Sequence, residues 1–217
     1  MPAVVVFDCF DTLVTSRPLP GPREFTACLT DVLALERRCA KEVVEAVYTT
    51  LFTAMSDRSA LQPPTLDLLD AALRERGAAR EKAELEKALW YALGCEEPGQ
   101  YALCAPAAEA MRRTAAAGNT VRLLSNCYLP GSLMRRLLHR VRVPAVYERA
   151  HFTADGGPKK PDPRAFRFIG EGDFERRVMV GDSEETDLAP AAALGWETVR
   201  IHPAAPDLTE LLALLDL

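Results

Sequence analysis

The first apolar run of the chain, Val4-Val5-Val6-Phe7, leads directly into Asp8, and Cys9-Phe10-Asp11-Thr12 follow. A short continuous apolar run of this kind reads as a buried strand. A carboxylate at its end is costly unless something uses or neutralises it, which makes Asp8 a candidate nucleophile. Three other places carry reactive side chains in similar settings. Ser125-Asn126 ends the run over residues 120–124, and Asp182 follows Val178-Met179-Val180-Gly181 with Asp187 in the next turn of chain. Lys160 stands in Gly157-Pro158-Lys159-Lys160-Pro161-Asp162-Pro163. Each has a plainer alternative: Asp182 as a helix cap, Ser125 as a turn former, Lys160 as part of a solvated basic loop. What argues against these alternatives is that Asp8, Ser125 and Asp182 all sit at expected strand ends.

The elements that must position these residues follow from the patterning. Beyond residue 98 the chain alternates strand-like and helix-like stretches, with strands expected at 120–124, near 146–153, at 178–180 and at 197–201. Helices are expected near 106–117, after Pro130-Gly131, up to Ile169, over 184–194 and over 208–215. Such alternation implies an α/β fold, a Rossmann-like doubly wound parallel sheet. Ligands of such sheets bind outside the carboxyl ends of the strands, where strand order reverses. Residues 16–98 have another texture. Pro18, Pro20 and Pro22 make a turn-rich connector, then Phe25, Cys28, Leu29, Val32 and Val43, Val44, Val47, Leu51 recur at helical spacing. This segment reads as an all-helical insertion, and residues 1–15 with 99–217 as the core that carries the site.

Composition narrows the function classes. The 217 residues carry a net charge of -5 with no basic block, which argues against nucleic-acid binding. No apolar run is long enough to span a membrane, and the N-terminus lacks the pattern of a secretory signal, so a cytoplasmic location is expected. The six cysteines show no metal-ligand or redox spacing and are expected to be free thiols. His139, His151 and His202 lie away from the reactive positions. Oligomeric state stays open between monomer and homodimer.

The four segments around Asp8, Ser125, Lys160 and Asp182/Asp187, in this order, resemble the haloacid dehalogenase superfamily of aspartyl-nucleophile hydrolases. The helical insertion resembles the cap of that family's C1 members. The resemblance implies that Asp8 attacks the substrate and that Asp8, Asp182 and the backbone carbonyl of Phe10 hold Mg²⁺, with Asp187 binding it directly or orienting its waters. It further implies that Lys160 offsets the charge and that Ser125 donates hydrogen bonds to phosphoryl oxygens. Thr12, Asn126 and Asp11 become candidates for substrate or phosphate contact, with Asn126 a loop-positioning residue as the alternative. The electrostatics agree: three carboxylates repel a phosphomonoester unless a divalent cation intervenes, and an all-oxygen set suits magnesium. The expected partner is a small phosphorylated metabolite.

One position departs from the pattern. Most phosphatases of this superfamily have a second aspartate two residues after the nucleophile, as general acid and base. Here that position is Phe10, and Asp11 takes the next, usually glycine. An aromatic residue there resembles the 2-haloacid dehalogenases, which need no leaving-group acid and work without metal, but those lack the Gly-Asp form seen at Gly181-Asp182. A catalytically weak binding or regulatory protein on the same fold is a third reading. A phosphonatase-like Schiff base would need a cap lysine, with Lys41, Lys82 and Lys87 as candidates. The expectation is a Mg²⁺-dependent phosphatase-like hydrolase working through an aspartyl-phosphate on Asp8.

Overall fold

The computed structural model describes residues 3–202 and 205–217; positions 1, 2, 203 and 204, which the expected core segments span, lie outside the described residues. At its centre is β1 (Val4–Phe7), whose four side chains are fully buried. Because successive strand residues face opposite ways, Val5 and Phe7 enter one apolar layer and Val4 and Val6 another. Burial on both faces explains why the run is continuously apolar instead of alternating.

β1 pairs in parallel with β4 (Thr120–Ser125) on one side and β6 (Arg177–Gly181) on the other. With β5 (Arg149–Phe152) and β7 (Glu197–Arg200), also parallel, the order is β5-β4-β1-β6-β7. The first apolar layer is filled by α5 (Ala105–Ala116), α6 (Gly131–Arg140) and α9 (Thr209–Leu214), the second by α7 (Pro163–Ile169) and α8 (Ala189–Ala192). This is the Rossmann-like doubly wound sheet that the alternation implied. The chain builds outward from β1 to β5, then crosses back to β6 and β7, so β1 stands where strand order reverses and a ligand crevice opens.

Between β1 and the rest of the sheet, the chain forms α1 (Pro22–Val32), α2 (Arg37–Ser56), α3 (Thr65–Arg74) and α4 (Lys82–Ala92). Their buried faces, among them Phe25, Leu29, Val43, Val47, Leu69, Leu73 and Leu89, join the first apolar layer. The chain leaves for these helices and returns through a two-stranded antiparallel ribbon, β2 (Val14–Ser16) against β3 (Tyr101–Leu103). This ribbon carries no signal in the patterning: three-residue strands are too short to show a period, and prolines follow the first.

The expected helix over 184–194 is corrected. Residues Glu184–Leu188 form one wide turn, in which the Leu188 N–H reaches back to Ser183 O at 3.2 Å, before the short α8. Pro190 offers no N–H to a continuous helix, and Ser183 Oγ accepts from Thr186 N at 3.3 Å to start the turn. No helix among the described residues is long and apolar enough to cross a membrane.

Candidate active site

Asp8 leaves β1 at its carboxyl end, its N–H bonded to Val180 O at 2.9 Å, and its side chain is buried. Beside it, Gly181 ends β6 and Asp182 follows, half-buried. The wide turn then folds Asp187 back beneath them. Gly181 is required for this: a Cβ there would stand 2.4 Å from Asp187 Oδ2. Carboxylate oxygens of Asp8, Asp182 and Asp187 thus lie within 4.8 Å of one another.

Among the described residues, a single ammonium faces the cluster. Lys160 Nζ lies 2.6 Å from Asp8 Oδ1 and 2.5 Å from Asp187 Oδ1, and all three side chains are buried. Burial pushes the Asp8 carboxyl up to about 7, with Asp187 adding to the rise and Lys160 opposing it. Asp182 is also raised, by burial and then by Asp187. Burial works against the Lys160 charge, but Asp8 and Asp187 outweigh it and hold the ammonium well above its ordinary value. Three carboxylates against one cation leave an excess of negative charge in a poorly hydrated place, which favours a further cation.

Ser125 ends β4 fully buried. Its hydroxyl lacks an oxygen or nitrogen partner and lies beside the Cys9 thiol. Thr12 Oγ1 is likewise buried without a partner. Buried polar groups are nearly always paired, and an orphan at a strand end calls for a ligand or water. Asn126 turns both amide atoms to the backbone of Lys160: Nδ2 donates to Lys160 O at 2.8 Å and Oδ1 accepts from Lys160 N at 2.9 Å. Asn126 also lines the cavity beside Lys160, so both of its readings, loop positioning and substrate contact, are compatible with its place.

Phe10 directs its ring away from any proton-transfer role, packing on Tyr101 of β3 with centroids 6.1 Å apart. Its carbonyl accepts none of the loop's backbone hydrogen bonds among the described residues; these run from Leu13 and Val14 N to Cys9 O and from Asp11 N to Val14 O. Asp11 is exposed, in the left-handed region at φ 58, close enough to Asp182 to raise its carboxyl slightly. Asp is among the few non-glycine residues that adopt this conformation readily.

Sequence reasoning missed what holds the helices over the site. Lys159 is buried, and its Nζ donates to Asp57 O at 2.6 Å and Ala60 O at 2.7 Å. Gln62 and Gly157 exchange backbone hydrogen bonds at 2.8 and 3.1 Å, and Gln62 Nε2 donates to Cys127 O at 2.7 Å. Arg164 donates to Ser59 O at 2.6 Å. The Pro-Asp-Pro run beside Lys159 was the one available signal of an ordered loop.

The other candidates fall away. All six cysteines are free, and burial raises Cys9 and pushes Cys127 up to about 12, the wrong direction for a nucleophile. Lys41, Lys82 and Lys87 are exposed on the helices, the first two beside Glu45 and Glu86. His151 is half-buried and bonds Pro158 O at 2.8 Å, while His139 and His202 are exposed.

A sequence profile of haloacid dehalogenase-like hydrolases matches residues 2–195. The chain belongs to that family. No curated protein matches its sequence. Among solved structures, the HAD-hydrolase YfnB from Bacillus subtilis, bound to magnesium, is similar at 16% identity and TM-score 0.55, covering 100% of this chain and 99% of that one. The 2-haloacid dehalogenase from Pseudomonas syringae pv. Tomato DC3000 is similar at 20% identity and TM-score 0.60, over 95% and 89% of the two chains. The HAD phosphatase from Thermococcus onnurineus follows at 17% and 0.52, over 93% and 86%. At these identities the likeness concerns the fold of this haloacid dehalogenase-like hydrolase.

Proposed function

We propose that this hydrolase is a Mg²⁺-dependent phosphatase acting on a small phosphorylated metabolite. The observation that carries the reading is the cluster of Asp8, Asp182 and Asp187 around one ammonium. Donor chemistry fits a hard cation: three carboxylates within 4.8 Å can converge on an ion with oxygen ligands at about 2.0–2.1 Å. Asp8, Asp182, Asp187 and the uncommitted Phe10 carbonyl would hold it. When bound, the ion supplies charge neutralisation for the phosphoryl group and the carboxylates. The magnesium reported with the Bacillus subtilis relative is in keeping with this choice.

In the reading, an Asp8 carboxylate oxygen attacks phosphorus, the ester P–O bond breaks, and the alcohol leaves with a proton from solvent. Water then attacks phosphorus of the aspartyl-phosphate, releasing inorganic phosphate and restoring Asp8. Lys160 opposes the protonation of Asp8 that burial favours and neutralises phosphoryl oxygens. Ser125 and Thr12, two buried hydroxyls without an oxygen or nitrogen partner, donate to those oxygens as charge shifts, a contribution of about 10²–10³-fold for one such donor. Asn126 acts through Lys160 as a positioning residue. Asp11 lies at the rim, where it can contact substrate. We assign residues 1–15 and 99–217 to the catalytic core and 16–98 to a cap that excludes bulk water and large substrates. The protein works as a monomer or homodimer, without nucleic acid or membrane.

Phe10 favours one second reading, a metal-independent 2-haloacid dehalogenase, because halide leaves without an acid. Assays with and without Mg²⁺ separate the two. Phosphate release from 4-nitrophenyl phosphate that EDTA and Asp182→Asn both suppress is the expected result. Chloride release from 2-chloropropionate in EDTA, with no phosphate release under any condition, would overturn the phosphatase reading.

A further inference from the structure

Two cavities of different character meet at Met55 and Tyr128, and one of them reaches Lys160 beside the carboxylate cluster. One, of about 220 Å³, is lined by Lys160, Lys159, Arg58, Asn126 and Thr186 and is cationic. The other, of about 290 Å³, lies between the helices and the connector after β2, with walls from Phe25, Val47, Leu51, Phe52 and Leu89 and no charged residue. Met55 and Tyr128 line both, and the Tyr128 hydroxyl donates to Met55 Sδ at 2.7 Å where the two adjoin. Three large apolar side chains on the wall of the second cavity are solvent-exposed: Leu19 at 45%, Phe52 at 56% and Met55 at 44%. The two cavities thus set an anion-binding end and an apolar end on either side of a shared wall of Met55 and Tyr128.

Resting on the phosphatase reading, we propose that the substrate is an aryl phosphate whose aromatic body, one or two fused rings, occupies the apolar cavity beyond Met55 and Tyr128. Size supports the occupant. A dry protein cavity of about 150 Å³ takes up one benzene ring, and this one is nearly twice that. Charge supports it as well: a sugar or polyol would leave its hydroxyls facing an almost wholly apolar wall. Leaving-group chemistry adds an independent argument. Phe10 cannot protonate a departing oxygen, and a phenolate, with a conjugate acid near pKa ~10, leaves without the help that an alkoxide needs.

The test combines turnover with binding of a neutral ring. Phe52→Asp and Leu19→Asp place a charge on the apolar wall from two different segments, at exposed positions that tolerate it. With Mg²⁺, 1-naphthyl phosphate is expected to show a KM at least about tenfold below that of glycerol 3-phosphate. Because aryl esters are intrinsically more reactive, kcat alone would not count. Both variants are expected to reduce that KM advantage about tenfold. Calorimetric binding of 1-naphthol to the wild-type protein, lost in both variants, supports the cavity assignment whatever the turnover. If 1-naphthol binds but no phosphate ester is hydrolysed, the phosphatase reading fails and the apolar site stands. If phosphate esters are hydrolysed without a KM preference and 1-naphthol does not bind, the proposal is overturned and the phosphatase reading stands. A dimer that Phe52→Asp dissolves, with no 1-naphthol binding, assigns this face to a second copy and equally overturns the proposal.

Discussion

Asp8 holds a charge that its surroundings resist. Its carboxyl is raised from 3.8 to about 7 because the strand end is buried; the Lys160 charge opposes that rise more strongly than Asp187 adds to it. The sign of the consequence is fixed. A folded-state value above the unfolded one means that the protonated form stabilises the fold. That contribution is complete below about pH 4 and is lost as pH rises through about 7. In metal-free protein, Asp8→Asn should therefore melt higher than wild type at pH 8, and the difference should shrink as pH falls toward 4. The same variant should be inactive. Thermal melts across that pH range decide the matter; an unchanged or lower melting temperature at pH 8 would mean that Lys160 fully compensates Asp8 without a metal. This is the stability cost expected where function needs a buried charge. Asp8 and Asp182 could be read from sequence because an acid ending an apolar run violates local patterning. The weakened acidity of Asp8 was not legible, since it depends on burial of the strand end and on Asp187 and Lys160 brought from distant parts of the chain.

Among the elements, the wide turn at Glu184–Leu188 does the positioning. A regular helix starting at Ser183 would not return the Asp187 N–H and the Leu188 N–H together to Ser183 O, at 3.0 and 3.2 Å. Wide turns of this kind recur at functional sites. Its approach to β6 depends on the missing side chain at Gly181. Gly181→Ala would put a Cβ 2.7 Å from the Asp187 Cβ and Cγ, and one of the two segments must move. The Mg²⁺ concentration for half-maximal activity should rise about 10–100-fold, as when groups supporting a metal ligand are disturbed. A metal titration of activity reads this directly, and an unchanged midpoint would remove Asp187 from the metal set. Sequence periodicity could not separate this turn from a helix, because Leu188, Ala191, Ala192 and Leu194 are spaced as a helix would space them. The β2–β3 ribbon escaped for the opposite reason, being too short to have a period.

At the scale of the whole molecule, a net charge of -5 surrounds a cationic pocket. That contrast favours a small anion at the site over diffuse binding elsewhere. The helices over residues 22–92 are tied down on that side by backbone carbonyls of residues 57–62, gripped by Lys159, Arg164 and Gly157. The parallel sheet and the helical insertion were both legible because apolar period reports burial directly. The ties were not, because Lys159 beside Lys160 is indistinguishable in sequence from a solvated pair; only carbonyls about a hundred positions earlier make it a buried one.

The central claim is that Asp8 transfers a phosphoryl group and that water then attacks phosphorus. A single turnover of 4-nitrophenyl phosphate with excess enzyme and Mg²⁺, in water carrying heavy oxygen, tests it most directly. In a dehalogenase-type reaction, water attacks the carbonyl carbon of the Asp8 ester, so the label enters Asp8. The account predicts heavy oxygen in the released phosphate and none in the peptide containing Asp8. Label in that peptide, or no phosphate released in the presence of Mg²⁺, would contradict it.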